Sequence, residues 1–83
     1  MKITFKLYAT LSDYLPPHAV DNAVEIDVPE EATPYDVIDR YRVPREMSHL
    51  VLINGVYADE GARGRSGLKA GDTLAVWPPI AGG

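Results

Sequence analysis

Cysteine is absent from this chain of 83 residues. Its absence excludes disulfides, thiolate–metal centres and a persulfide carried on a side chain. Histidine is scarce as well: His18 and His49 are the only two, and no clustered carboxylates accompany them at ligand spacing. We interpret both histidines as surface or packing residues, and we expect neither a metal site nor a bound cofactor.

Positive charge is also limited. Eight Lys and Arg stand against twelve Asp and Glu, which gives a formal net charge of −4. Nucleic acid is therefore not expected as a partner, because phosphate binding needs a basic face, whereas a basic protein surface would attract the chain. No apolar run approaches the roughly 20 residues of a membrane helix. Residues 1–5 alternate like a strand and lack a signal-peptide core. We expect no membrane partner and a cytoplasmic location.

The length of the chain suits one small domain with little room for an internal active site. Glu30-Glu31 is the one adjacent carboxylate pair that precedes a predicted helix, and we interpret it as a solvated acidic turn and not as an acid/base site. No catalytic centre of the chain's own is expected.

Hydrophobic periodicity predicts five strands. The first two alternate with a period of two, and a charged pair between Lys6 and Glu25 or Asp27 would suit them as neighbours. Asn54-Gly55 predicts a hairpin after an apolar run, which we expect to be covered on both faces. The predicted strands are residues 2–8, 23–28, 50–53, 56–58 and 73–77.

One main helix is predicted after Thr33-Pro34, a capping hydroxyl followed by proline, and it should end near Pro44. Its apolar stripe comprises Pro34, Val37, Ile38 and Tyr41. The element order predicts an α+β fold with a mixed four- to five-stranded sheet and the helix packed across one face. Residues 59–67 are predicted to form a polar loop, in which Arg63 and Arg65 are solvated or else bind a phosphate or a partner carboxylate.

The C-terminal segment is the most informative part of the sequence. Pro78 and Pro79 cannot donate to a sheet ladder, so they end the last strand and hold the following residues extended. No charged side chain follows Asp72, and the chain closes on two glycines that could enter a channel only as wide as a backbone. Fraying is the alternative, although frayed tails are usually polar. We expect a domain over residues 1–77 and an extended tail over residues 78–83.

A bare terminal carboxylate suggests a specific chemistry. Ionised at neutral pH, the carboxylate of Gly83 could attack the α-phosphate of ATP to give an acyl-adenylate. A sulfur nucleophile could then displace AMP and leave a thiocarboxylate. Such a carrier needs no cysteine of its own, and ATP would be used by the activating partner.

Residues 68–83 resemble the C-terminal signature of the MoaD/ThiS sulfur-carrier family, and within it the small subunits of molybdopterin synthase. The shared pattern is Leu, two residues, Gly-Asp, an apolar strand, Pro-Pro, two residues and Gly-Gly. The predicted element order also fits the β-grasp, ubiquitin-like fold of that family. The resemblance therefore implies both the fold and a function as a sulfur carrier.

The resemblance implies a cycle with three partners. A ubiquitin-activating-type adenylyltransferase activates Gly83, and a sulfurtransferase system supplies the sulfur. The tail then enters the large subunit of molybdopterin synthase, where the sulfur builds the dithiolene of the molybdenum or tungsten cofactor. By position Gly83 carries the sulfur and Gly82 lets it enter the active site. The arm that contacts the partners comprises Trp77, Pro78, Pro79, Ile80 and Ala81.

Other functions share the same tail. A ubiquitin-like protein modifier would join Gly83 to lysines of target proteins. A sulfur carrier for thiamine thiazole or another sulfur metabolite would differ only in the acceptor, although the thiazole branch usually lacks Pro-Pro. A plain interaction module would use the tail only for docking. The sequence leaves open the acceptor, the oligomeric state and conjugation to proteins.

Overall fold

The computed structural model describes residues 1–79. Within them, five strands form a single sheet and two short α-helices and two 3₁₀ turns connect its strands. The strands are β1 (Lys2–Leu7), β2 (Ala23–Asp27), β3 (Leu50–Ile53), β4 (Val56–Tyr57) and β5 (Thr73–Trp77). The helices are α1 (Pro34–Arg40) and α2 (Glu60–Arg65), and the 3₁₀ turns are Ala9–Tyr14 and Arg45–Met47.

The first and last strands lie side by side within the sheet. The strand order is β2-β1-β5-β3-β4, with β1 and β5 parallel and every other neighbouring pair antiparallel. This mixed sheet with α1 packed across one face confirms the predicted α+β, β-grasp class. The strand that leads into the C-terminal tail therefore has a hydrogen-bonded neighbour on each side.

Alternation along the strands places one set of side chains in the core, against α1. Val37 and Ile38 supply the helix side of this core, and Phe5 packs against Tyr41 with ring centroids 5.2 Å apart. Each fully buried side chain of this size contributes about 1.5–3 kcal/mol. The buried strand residues of the core are Ile3, Phe5, Leu7, Val24, Ile26, Val51, Leu74 and Val76.

Helix α1 begins where the sequence predicts. The Thr33 hydroxyl accepts a hydrogen bond from the Asp36 amide (3.2 Å), and the Asp36 carboxylate accepts one from the Thr33 amide (2.9 Å). This reciprocal capping box satisfies two donors that the first turn of a helix leaves free. Pro34, Val37 and Ile38 are buried as predicted.

The end of α1 is a left-handed turn at Arg42, whose φ is 62°. The Arg42 amide donates to the Asp39 carbonyl (2.9 Å), and the Val43 amide donates to the Ile38 carbonyl (3.1 Å). Both bonds belong to a Schellman motif, in which glycine is the usual residue at the left-handed position. Arg42 therefore adopts a conformation that its Cβ disfavours.

The predicted hairpin at Asn54-Gly55 is confirmed. Both residues have positive φ (51° and 82°), as a tight turn between antiparallel strands requires. The Asn54 side chain also donates to Asp72 (2.9 Å) and accepts from the Thr73 amide (2.8 Å). The turn is thereby fixed to the start of β5.

Two expectations about side-chain placement were wrong. Lys6 lies opposite Ala23, and it is Lys2 that pairs with Asp27, with Nζ and Oδ2 3.4 Å apart. In β3 only Val51 is buried, while Leu50 and Leu52 are half-buried, because α1 covers one face of the sheet alone.

The predicted loop at residues 59–67 was also wrong, since it contains α2. Asp59 caps this helix by accepting a hydrogen bond from the Ala62 amide (2.8 Å). Two glycines and the lack of an apolar stripe concealed the helix in the sequence.

Candidate functional site

The root of the C-terminal tail is an aromatic stack at the end of β5. The Trp77 ring lies parallel to the Tyr8 ring, with centroids 4.3 Å apart and an interplanar angle of 5°. Both side chains are half-buried. Trp77 therefore combines a packing role beside Tyr8 with a surface that remains accessible to a partner.

Backbone hydrogen bonds hold this root from both sides. The Tyr8 amide donates to the Val76 carbonyl (3.1 Å), and the His49 amide donates to the Trp77 carbonyl (3.0 Å). Pro78 is buried and Pro79 is exposed. The end of β5 is therefore hydrogen-bonded on both sides, and the chain reaches the surface of the domain at Pro79.

Four of the predicted site residues, Ile80, Ala81, Gly82 and Gly83, lie outside the described residues. Their assigned roles in carrying sulfur and contacting partners stay predictions. The same holds for partner contacts of Trp77, Pro78 and Pro79, although their positions at the tail root are now defined.

The face of the sheet opposite α1, here called the open face, has a large apolar part. Register places Leu50 beside Trp77, Leu52 beside Ala75, and Tyr57 beside Leu52. Ala75 is only 7% exposed, whereas Tyr57 is 58% exposed. We call this set the apolar half of the open face; it comprises Tyr8, Leu50, Leu52, Tyr57, Ala75 and Trp77.

The part of the open face formed by β1 and β2, here called its polar half, has a different character. Lys2 lies opposite Asp27, and Thr4 lies opposite Glu25. Lys6 stands at the boundary between the halves, because it pairs with Ala23 on β2 and with Ala75 on β5. The sheet therefore presents a sharp division between apolar and charged surface.

Sequence reasoning missed the apolar half apart from Trp77. A signal was present in the run Leu50-Val51-Leu52-Ile53, which lacks polar alternation. A chain with a single main helix cannot cover both faces of its sheet, so half of such a run must lie on the open face.

Arg63 has a structural position that the sequence did not indicate. Arg63 is only 4% exposed. Its guanidinium donates hydrogen bonds to the carbonyl oxygens of Ala58 (2.8 Å), Ser48 (2.9 Å) and His49 (3.2 Å). The guanidinium is neither solvated nor free to bind a phosphate or a partner carboxylate, so both interpretations of Arg63 are wrong. Arg65 is exposed on the same helix.

A charged cluster lies at the far end of α1. The Arg45 guanidinium donates two hydrogen bonds to Asp39 (2.7 and 3.1 Å) and lies 4.1 Å from the centre of the Tyr35 ring. The side-chain hydrogen bond from Arg45 lowers the pKa of Asp39 below its ordinary value. All three residues are remote from the tail in sequence and hold the turn after the helix.

The other candidates from the sequence do not converge. His18 and His49 are exposed, as are Glu30 and Glu31. Across residues 1–79 no three His, Asp or Glu side chains approach as a metal site would require, and no cavity is enclosed. No helix in that part of the chain is long and apolar enough to cross a membrane.

Sheet order, the helix across one face and the tail on a central strand together define a ubiquitin-like β-grasp protein. The sequence model of the Mut7-C ubiquitin family matches residues 1–81. The chain belongs to the Mut7-C ubiquitin family. Comparison with characterised protein sequences gave no match.

Solved structures share the whole fold. SAMP1, the small archaeal modifier protein 1 of Haloferax volcanii, is 28% identical, with all of both chains covered and a TM-score of 0.67. The HVO 2177 protein of Haloferax volcanii is 22% identical over all of this chain and 87% of its own, with a TM-score of 0.79.

A third similar structure is the complex of subunits 1 and 2 of molybdopterin-converting factor from Helicobacter pylori 26695. The match is 15% identical, covers all of both chains and has a TM-score of 0.59. The expected likeness to MoaD-type proteins is thereby confirmed in the fold.

Proposed function

We propose that this chain is a sulfur carrier that receives sulfur as a thiocarboxylate on Gly83 and donates it in molybdopterin biosynthesis, as the small subunit of molybdopterin synthase. The observation that carries the proposal is the anchored root of the Pro-Pro-x-x-Gly-Gly tail. Trp77 is stacked and hydrogen-bonded, and of the first two tail residues Pro78 is buried and Pro79 is exposed.

The rigid root supports this function for an energetic reason. A tail that enters another protein's active site loses conformational freedom, and each disordered residue adds to that cost. Because Trp77 and Pro78 are already fixed in the domain, a partner does not have to order them. The two terminal glycines then supply the narrow backbone that the chemistry needs.

The proposed chemistry takes place on partner proteins. An oxygen of the Gly83 carboxylate attacks the α-phosphorus of ATP, and pyrophosphate leaves. Sulfide-level sulfur, delivered by the sulfurtransferase system as hydrosulfide, then attacks the acyl carbon; AMP leaves and the thiocarboxylate remains. The partners are a ubiquitin-activating-type adenylyltransferase, a sulfurtransferase system and the large subunit of molybdopterin synthase, in the cytoplasm. The similar Helicobacter pylori structure contains subunits 1 and 2 of molybdopterin-converting factor together, which supports a large-subunit partner.

Intact-mass spectrometry tests the proposal. The full chain is incubated with its adenylyltransferase, ATP and a sulfur donor, and the expected product is heavier by the difference between one sulfur and one oxygen. The matched control lacks Gly83 alone and should gain no mass while keeping its fold, since the core of residues 1–79 does not include that residue. An unchanged mass for the full chain, with an enzyme that is active on ATP, would contradict the proposal.

Similarity to a small archaeal modifier protein favours a second candidate function, that of a ubiquitin-like protein modifier. Activation of Gly83 is common to both functions, but here the acyl group would pass to a lysine amine and not to sulfur. Peptide mass spectrometry of cell extracts separates the two. Branched peptides that carry the C-terminus of this chain on lysine indicate a modifier. A thiocarboxylate without such branches indicates a carrier, for the pterin or for another metabolite such as thiamine thiazole.

A further inference from the structure

Arg63 is a buried cation that makes no ion pair within residues 1–79. The ion pairs in that part of the chain are Lys2–Asp27 and Arg45–Asp39. A guanidinium stays charged in proteins, and a buried charge is costly unless hydrogen bonds or an opposite charge satisfy it. Here three backbone carbonyl oxygens take the place of an anion. What this side chain does in the fold therefore depends on where those carbonyls lie.

The three carbonyls belong to two separate segments that meet beside α2. Ala58 directly follows β4, whereas Ser48 and His49 directly precede β3. Nε donates to Ala58, Nη1 donates to Ser48, and Nη2 donates to His49. A guanidinium presents its donors in a rigid planar fork, whereas an ammonium is a compact point charge. Arg63 therefore fixes the start of β3 against the end of β4.

One of these contacts continues to the tail root through a single peptide group. The carbonyl oxygen of the Ser48–His49 peptide group accepts from Arg63 Nη1 (2.9 Å), and its amide donates to the Trp77 carbonyl (3.0 Å). Because a trans peptide group is planar, its C=O and N–H point in opposite directions and move together. Hydrogen bonds in such a chain also polarise one another, and this chain begins at a cationic donor. The guanidinium therefore strengthens the bond that holds Trp77.

The Trp77 carbonyl lies where the last strand ends and the tail begins, since its carbon is bonded to the nitrogen of Pro78. The paired residues of β3 and β5 end at Leu50 and Trp77, and His49 lies one residue before that pair. The amide of His49 thus extends the hold of β3 on β5 up to the first proline of the tail. Arg63 acts on this point through one peptide group.

We propose that Arg63 is a positioning residue for the carrier reaction. Acting through the Ser48–His49 peptide group, it holds Trp77 and Pro78 in the place from which the C-terminal tail serves the activating adenylyltransferase. The inference rests on the proposed function and adds a residue of this chain on which the rate of that reaction depends. A side chain that only filled the core would make no such link.

Steady-state ATP–pyrophosphate exchange by the adenylyltransferase tests this role. Arg63→Met should lower kcat about tenfold, because small misplacements of reacting groups slow a reaction steeply. KM for the chain should stay within about twofold, since a substitution at a buried residue leaves the exposed contact residues in place. Arg65→Met, on the same helix but exposed, should change neither value. Arg63→Lys keeps the charge without the fork and should recover part of kcat.

Ile26→Ala separates positioning from a general loss of stability. Ile26 is 7% exposed and lies on β2, which β1 separates from β5. Its truncation leaves a cavity that destabilises the core, but this cavity lies on the far side of β1 from the tail root. Assayed without urea, where near-ultraviolet circular dichroism shows each variant to be folded, Ile26→Ala should keep the wild-type kcat.

Nuclear magnetic resonance examines the peptide link without any partner enzyme. An amide proton moves upfield when its hydrogen bond lengthens, so the His49 amide proton should move upfield in Arg63→Met. It should stay in place in Ile26→Ala and in Arg65→Met, which leave the Arg63 contact with the Ser48–His49 peptide group intact. An unmoved His49 resonance in Arg63→Met would overturn the link through this peptide group.

The outcomes separate this inference from the function beneath it. A wild-type chain that supports no exchange would overturn both. Exchange by wild type with an unchanged kcat for Arg63→Met would overturn the positioning role alone, and so would an equal loss of kcat in Ile26→Ala. If Arg63→Met does not fold, Arg63→Lys against Arg65→Lys provides the same comparison of kcat and of the His49 resonance.

Discussion

Replacing Arg63 by methionine is the change whose effect on stability follows most directly from the structure. Methionine keeps most of the apolar stem but removes every donor of the guanidinium. The carbonyl oxygens of Ala58 and Ser48 are reached by buried hydrogen bonds, and that of His49 by a partly buried one. All three would lose their partner at once.

The magnitude can be worked from those contacts. A buried polar group left without a partner costs about 1–3 kcal/mol. Leaving two buried carbonyls unpaired therefore costs about 2–6 kcal/mol of stability. Two effects reduce this cost: water can reach the third, partly buried carbonyl, and removing the guanidinium also removes the desolvation cost of its charge. We expect Arg63→Met to lower the free energy of unfolding by about 3 kcal/mol. That loss is a large fraction of the 5–15 kcal/mol typical of a domain.

Urea unfolding followed by the fluorescence of Trp77 measures this loss. Trp77 is the only tryptophan, and its stack on Tyr8 reports the intact tail root. Arg65→Met is the matched control, because Arg65 is exposed on the same helix and its loss should change the free energy by less than about 0.5 kcal/mol. Arg63→Lys retains one ammonium and should lie between them.

A local measurement should accompany the global one. The His49 residue joins Arg63 to the tail root, since its carbonyl accepts from Arg63 and its amide donates to Trp77. In Arg63→Met the His49 amide should exchange its hydrogen faster than the amides of β3 and β5 do. Equal unfolding midpoints for Arg63→Met and Arg65→Met would show that the guanidinium adds no net stability, and the reasoning would be refuted.

Three further changes have expected outcomes. Arg42→Gly should raise the free energy of unfolding by about 0.5–1 kcal/mol in urea titrations, because glycine accepts the left-handed φ of 62° without strain; a lower midpoint would contradict this. Trp77→Ala should weaken binding to the adenylyltransferase, measured by calorimetry, more than it weakens folding; a large stability loss with normal binding would show that its stack on Tyr8 is mainly structural. The lowered pKa of Asp39 means that its pairing with Arg45 stabilises the fold above the ordinary carboxyl pKa and is lost as the pH falls through the lowered value. Asp39→Asn should therefore weaken the dependence of the free energy of unfolding on pH in the acid range. An unchanged dependence would argue against a stabilising pair.

Local signals in the sequence predicted most of the fold because each has a direct physical cause. Thr33-Pro34 starts α1 through backbone capping, and Asn54-Gly55 closes the hairpin because both positions need positive φ. Alternation along β1 and β2 indicated which side chains enter the core. These features depend on residues close together in the chain, so pattern alone is sufficient.

Features that depend on tertiary partners could not be predicted. Helix α2 contains two glycines and is held by the Asp59 cap and the buried contacts of Arg63, none of which is visible as periodicity. The pairing of Lys2 with Asp27 in place of Lys6 reflects register, and sliding a strand by two residues leaves the alternating pattern unchanged. The apolar half of the open face likewise depends on which face α1 leaves uncovered.

The position of β5 connects the stability of the fold with its proposed use. A tail on an edge strand would be held from one side and could peel away when a partner draws it into an active site. Here β5 lies between β1 and β3, and its last residues accept hydrogen bonds from Tyr8 on one side and His49 on the other. Leu50 and Leu52 of β3, and Tyr8 directly after β1, also belong to the apolar half. The same contacts that fix Trp77 and Pro78 therefore also build the surface beside them, so the last described residues of the chain have a defined position on the domain.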